Sequence, residues 1–251
     1  MRAWACWNHD RCRVQRARKL PGAGKPPCRL ASRTARTITG AENPGEYPFF
    51  SLAKSKGTAP IDFRAGKIII RVEAVAEPGM ATIWDADVLI WAASQIVEAR
   101  DAGLKTSRLM AATPYEILTF VGRGTSARDY DRLKAALDRL QSTTIMTSIR
   151  QPTERRRHRF SWINEWKETA DPHGRAFGLE LILPDWFYAG VLQEALVLSI
   201  DRAYFGLTGG LERCSIGWYA STAGVKAQGM SSNFRLGVGR HALGYNASLA
   251  F

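Results

Sequence analysis

Arginines set four and seven residues apart between positions 126 and 141 form the most suggestive chemical pattern in the chain. At 100° per residue on a helix, Arg128, Arg132 and Arg139 fall within about 60° of one another, with the small Ala135 among them. Tyr130, Leu133, Leu137 and Leu140 fall on the opposite side. Guanidinium groups in such a stripe can pair bidentately with guanine O6 and N7 in a major groove, or hold phosphates. The positive end of the same helix, at Ser126, would favour a phosphate. Further along, Arg155-Arg156-Arg157-His158-Arg159 concentrates four permanent charges in one short run. Mutual repulsion there is best relieved by a polyanion, so backbone phosphate is the expected partner. Arg123, Lys134 and Arg150 complete the candidate DNA-binding set.

Other chemistries lack their residues. Cys6, His9, Cys12 and Cys28 could ligate zinc by type but match no common finger spacing, so no metal and no cofactor are expected. Gly122-Arg123-Gly124 and Gly24-Lys25-Pro26 are not followed as a phosphate loop requires. His9, His158, His173 and His241 are too scattered for a metal-dependent nicking nuclease. A non-enzymatic protein is expected, with a relaxase or nuclease as the disfavoured reading.

The elements that would position the arginines are legible. Thr113-Pro114-Tyr115-Glu116 places a Thr cap, a first-turn Pro and a Glu three residues after the cap, opening a short helix that ends at Gly122. Ser126-Ala127-Arg128-Asp129 opens the next, through about Gln141. Two capped helices around a Gly-containing turn predict a helix-turn-helix. An earlier helix, from Thr82 or Asp85 to about Arg100, is apolar around most of its circumference and belongs in a core. Strands are expected at Pro48–Lys54 and Lys67–Val75, the latter after a turn at Gly66, and at Thr143–Ile149, Phe160–Trp166 and Phe177–Leu183. Trp162 and Trp166 read as core residues. Helices are expected over Trp186–Leu198 and Asp201–Leu207. The expected fold class is α+β: a winged helix-turn-helix of three helices plus an antiparallel wing, its wing loop at Arg150–Arg159, with a small N-terminal sheet and irregular flanks.

Charge is unevenly distributed. The net charge is +12, yet residues 1–40 carry ten basic residues against Asp10, and 214–251 carry three against none. Residues 41–213 are therefore neutral as a whole, with 22 basic and 22 acidic residues, and within them residues 123–159 hold ten basic residues against four acids. Residues 1–46 have the Arg-, Pro- and Gly-rich composition of a disordered basic tail. The expected division is 1–46 tail, 47–184 DNA-binding domain, 185–213 helical linker or start of a second domain, and 214–251 unstructured. Apolar runs are too short for a spanning helix, so the expected location is cytoplasmic with no membrane partner.

Phe49-Phe50-Ser51-Leu52-Ala53-Lys54, Ala81-Thr82-Ile83-Trp84-Asp85-Ala86-Asp87, Thr113-Pro114-Tyr115-Glu116 and Arg155-Arg156-Arg157-His158-Arg159-Phe160-Ser161-Trp162 closely resemble the plasmid replication initiator protein A family of proteobacteria over about residues 47–213. The resemblance implies binding of duplex DNA at repeated plasmid origin sites, called iterons, through winged-helix domains. It also implies host partners, a replication initiator and a helicase, and, by analogy with TrfA-like relatives, a self-dimer. It stops near Cys214, where the family continues into a second domain, so a frameshifted or truncated flank is expected. A winged-helix transcriptional regulator, binding an operator through the same helix and loop, is the alternative reading of the residues.

Overall fold

Helix α1 (Ala86–Asp101) is buried over most of its circumference, as its largely apolar composition requires, and it packs against the strand Thr34–Ile38 and the helices Pro114–Phe120 and Asp185–Leu192. The computed structural model describes residues 34–38, 47–151, 157–170, 176–193 and 197–223. Strands β1 (Thr34–Ile38), β2 (Ile61–Ala65) and β3 (Ile68–Glu73) precede α1. Strand β4 (Leu109–Ala112) follows it and leads into α2 (Pro114–Phe120) and α3 (Ala127–Ser142). Then come β5 (Thr144–Thr147), β6 (His158–Ser161), β7 (Glu165–Ala170), β8 (Ala176–Ile182), α4 (Asp185–Leu192), β9 (Val197–Asp201), a 3-10 turn (Arg202–Gly206) and α5 (Gly210–Ala223). No helix among the described residues is long and apolar enough to cross a membrane.

Among the described residues the strands form three antiparallel sheets: β2-β3-β5-β6, β4-β8-β7 and β1-β9. Mixed α+β architecture is thus as expected, but the strands are shared out differently. Thr143–Ile149, Phe160–Trp166 and Phe177–Leu183 do not form one sheet. The chain changes sheets just after β6, where Trp162 N–H donates to Leu140 O of α3 and Asn164 N–H donates to Ile182 O of β8. A period-two pattern of Phe160, Trp162 and Trp166 carries no mark of that switch. Trp162 is fully buried, whereas Trp166 sits half-buried in β7 with its indole N–H on Asp138.

Other differences have local causes. Pro48–Lys54 is an irregular segment with a single bridge from Ser51 to Thr82, and it contributes aromatic anchors instead of a strand. Phe50 stacks on Trp162 at 4.8 Å, Phe160 stacks on Trp186 at 4.8 Å, and Phe49 meets both tryptophans edge-on or tilted. This cluster ties the segment to β6 and α4. The expected helix over 186–198 ends at Leu192, and Val197–Asp201 is β9, paired along its length with β1, which lies inside the presumed tail. Helix α5 runs on through Cys214, where loss of structure was expected, because Arg213 and Gly210 lock it down. A Cβ at Gly210 would collide with the Leu52 carbonyl, so only glycine lets the helix start so close to that backbone.

Candidate nucleic-acid interface

The helix-turn-helix forms as its capping residues dictate. Thr113 Oγ1 accepts from Glu116 N–H while the Glu116 carboxylate accepts from Thr113 N–H. At the other end of α2, Arg123 N–H donates to Leu118 O and Gly122 N–H to Thr119 O, with Gly122 at φ 67°, a Schellman stop that only a glycine adopts cheaply. Asp129 then accepts from both the backbone N–H and the hydroxyl of Ser126, closing the first turn of α3. Leu133, Ala136, Leu137 and Leu140 are buried against the core.

The outward face is shorter than the helical wheel implies. Arg128 is exposed and has no ion pair among the described residues. Arg132 is 60% exposed and leans on Asp129 at 3.3 Å. Arg139, expected beside them, turns inward: its Nε and Nη2 donate to the two oxygens of Asp85 at 2.8 and 2.7 Å, at the start of α1. Asp85 is nearly buried and also accepts from Thr82 N–H and Oγ1, so its charge requires a cation there. The outward arginines therefore occupy the first turns of α3, and its last turns are closed by α1. Ser126 likewise offers its N–H and hydroxyl to Asp129, which places a carboxylate where a phosphate was expected.

Arg123 is also taken up internally. Its Nη2 donates to Trp84 O and to Asp87 Oδ2 at 2.8 Å, while Arg213 of α5 meets Asp87 Oδ1 at 2.6 Å. Burial raises the Asp87 carboxyl and the two guanidiniums pull it back. Arg213, 2% exposed, further donates to the carbonyls of Phe205 and Leu207, so one carboxylate ties α1 to the α2–α3 turn and to α5. Lys134 is held by Glu168 of β7 at 2.6 Å. The Arg150 guanidinium lies 3.8 Å from the centroid of the Trp186 ring, packed inward against α4. These four, Arg123, Lys134, Arg139 and Arg150, act in the structure as fasteners between elements.

The arginine-rich run joins β5 to β6 as expected, but on the β2-β3-β5-β6 sheet. Arg155 and Arg156 lie outside the described residues, as do Cys6, His9, Cys12 and Cys28. Arg157 is exposed, His158 is half-buried with its ring 5.2 Å from Phe160, and Arg159 pairs with Glu73 of β3 at 2.6 Å. The hairpin leaves from the C-terminal end of α3, whereas Arg128 and Arg132 sit at its N-terminal end. Two basic groups are thus presented from different elements.

Sequence reasoning missed Asp85, Asp87 and Arg213. The signal was present: two acids at the start of a helix otherwise apolar all round are buried with it, and buried carboxylates need cationic partners.

Comparison with known proteins gives this geometry a setting. The chain is 32% identical over 172 residues to the "Putative replication protein" of Wigglesworthia glossinidia brevipalpis, covering 67% of the chain and 62% of that relative's length. It therefore spans under two thirds of that relative. Its fold is similar to that of a crystal structure of domains 2 and 3 of RctB, with a TM-score of 0.54 at 14% identity over 71% of this chain and 72% of that one. A second crystal structure of the same RctB domains aligns with a TM-score of 0.47 at 13% identity, over 69% of this chain and 67% of that one. Residues 40–216 match the family model described as replication initiator protein A, and the stretch includes the helix-turn-helix, all four sheet-changing strands β5–β8 and the start of α5. On that match, the chain belongs to the replication initiator protein A family.

Proposed function

We propose that this chain binds duplex DNA at repeated sites of a plasmid origin, in the cytoplasm, and works by positioning DNA and host replication proteins, an initiator and a helicase, without catalysing a reaction itself. The observation that carries the reading is α3: a capped helix with a buried leucine face and, on its first turns, exposed Arg128 and Arg132, in a chain of an initiator family. Two guanidiniums about one turn apart suit adjacent base edges, or a base and its phosphate, in a major groove.

Topology supports a winged-helix reading. Helix α1, strand β4, helices α2 and α3 and, after the intervening β5–β6 hairpin, the hairpin β7–β8 come in this order along the chain, and the sheet order is β4-β8-β7. In that reading α3 is the recognition helix, and the hairpin beside it is β7–β8, fastened by Lys134–Glu168 and Trp166–Asp138. The β5–β6 hairpin with Arg157, His158 and Arg159 is then an additional basic element that holds backbone phosphate. The test is fluorescence anisotropy with a labelled duplex carrying the repeats of the cognate origin against a scrambled duplex of equal length. Tighter binding to the repeats by at least tenfold is expected; equal affinity for both duplexes contradicts site recognition.

A further inference from the structure

The sheet that carries the arginine-rich hairpin has a second hairpin at the same end. Strands β2 and β3 are joined by the two-residue loop Gly66-Lys67, with positive φ at Gly66 (56°) at its first position, the glycine-led form that suits a tight hairpin. β3 pairs with β5 from Ile70↔Thr147 to Glu73↔Thr144, and Ser148 N–H donates to Ile69 O. The β2–β3 turn and the end of β5 therefore lie at one edge of the sheet, so both hairpin tips project the same way.

Charge on the outward face of this sheet is segregated along the strands. One cross-strand row reads Asp62, Arg71, Met146, Arg159. Glu73 lies two residues on from Arg71, toward the base. In this part the cations are answered: Arg71 is bonded to Glu73 at 2.7 Å and to Asp62 at 3.3 Å, and Arg159 to Glu73. One same-face step toward the tips brings Arg64 on β2, opposite Ile69, and Arg157 ahead of β6. Both are exposed, and neither has a carboxylate partner among the described residues. Lys67 adds its charge at the turn. With strands about 4.8 Å apart, Arg64 and Arg157 stand about 14 Å apart across four strands, which spans on the order of four phosphates of one DNA strand along the axis.

We propose that the β2–β3 hairpin is a further phosphate-binding element, with Arg64 as its contacting residue, acting together with Arg157 to lay the cationic edge of this sheet along the backbone of duplex DNA. The inference rests on the duplex-binding reading above and adds to it a residue and a hairpin that the arginine run does not contain. Contacts of this kind set affinity and its salt dependence and carry no sequence preference.

The experiment measures the dissociation constant of the full chain for a 20-base-pair random-sequence duplex between about 50 and 200 mM KCl, where each phosphate contact contributes about 0.9 to the slope of log K on log salt. Arg64→Ala lowers the magnitude of that slope by about 0.9, so a fourfold rise in salt costs this variant about 3.5-fold less affinity than it costs the parent. The double variant with Arg157→Ala lowers the slope by about twice as much. Lys56→Ala, which removes a cation paired with Glu77 beyond the base of the sheet, leaves it unchanged. An unchanged slope in Arg64→Ala, with a reduced one in Arg157→Ala, overturns this inference and leaves the duplex-binding reading standing. Absence of any salt-dependent duplex binding by the parent chain overturns both.

Discussion

Replacing Arg139 by alanine separates the two roles open to an arginine on α3. The side chain is 25% exposed and donates two short hydrogen bonds to Asp85, which is 3% exposed. Removing one partner of a buried pair strands the other, at about 3–5 kcal/mol. Asp85 keeps its bonds from Thr82 N–H and Oγ1, and Arg139 is partly wetted, so the expected loss lies at the low end, about 3 kcal/mol. Urea denaturation reads it as a lower midpoint at unchanged m. Asp85→Asn together with Arg139→Ala is expected to recover part of the loss, since the stranded charge is gone. Once folded, Arg139→Ala binds a cognate duplex within about threefold of the parent, a difference below about 0.7 kcal/mol. A stability loss under about 1 kcal/mol, or a tenfold affinity loss in the folded variant, refutes the assignment of Arg139 as a fastener.

Arg213→Ala leaves Asp87 with Arg123 as its remaining guanidinium partner and takes three anchoring bonds from α5, so it costs about 3–5 kcal/mol. At a few degrees per kcal/mol this lowers the melting temperature by on the order of 10 °C, and a drop of under about 3 °C argues against the clamp. Acid weakens the fold through two half-buried carboxylates. Asp129 is held below the ordinary value of 3.8 chiefly by the Ser126 hydroxyl, and Glu73 below 4.5 chiefly by its hydrogen bond from Arg71. A carboxyl depressed in the folded state lends stability that is whole above its unfolded value and lost as pH falls through its folded one. Melting temperature followed downward from pH 5 therefore falls less steeply in Asp129→Asn and Glu73→Gln than in the parent; parallel curves count against both contacts.

What could be read from the chain depended on how local its causes were. Both helices of the helix-turn-helix were legible because Thr113-Pro114-Tyr115-Glu116, Gly122 and Ser126 act within one turn of themselves. Helix α1 was legible because apolar residues on every side leave no other place for it. Sheet membership was not, since the switch after Trp162 is set by hydrogen bonds to Leu140 and Ile182 from distant elements. The same limit applies to the site. A helical wheel fixes where the Cα of Arg139 points but not where its long side chain ends, and the carboxylate that captures it lies 54 residues earlier. Arg64 escaped notice because its importance comes from strand register and not from neighbours in sequence.

The measurement closest to the central claim compares Arg128→Ala and Arg132→Ala with the parent on repeat-containing and scrambled duplexes at one salt concentration. If the first turns of α3 read base edges, at least one variant loses about 1–3 kcal/mol on the repeats and markedly less on the scrambled duplex, shrinking the specificity ratio. Full retention of that ratio in both variants, with the parent binding the repeats specifically, contradicts the account, because recognition would then reside on another surface.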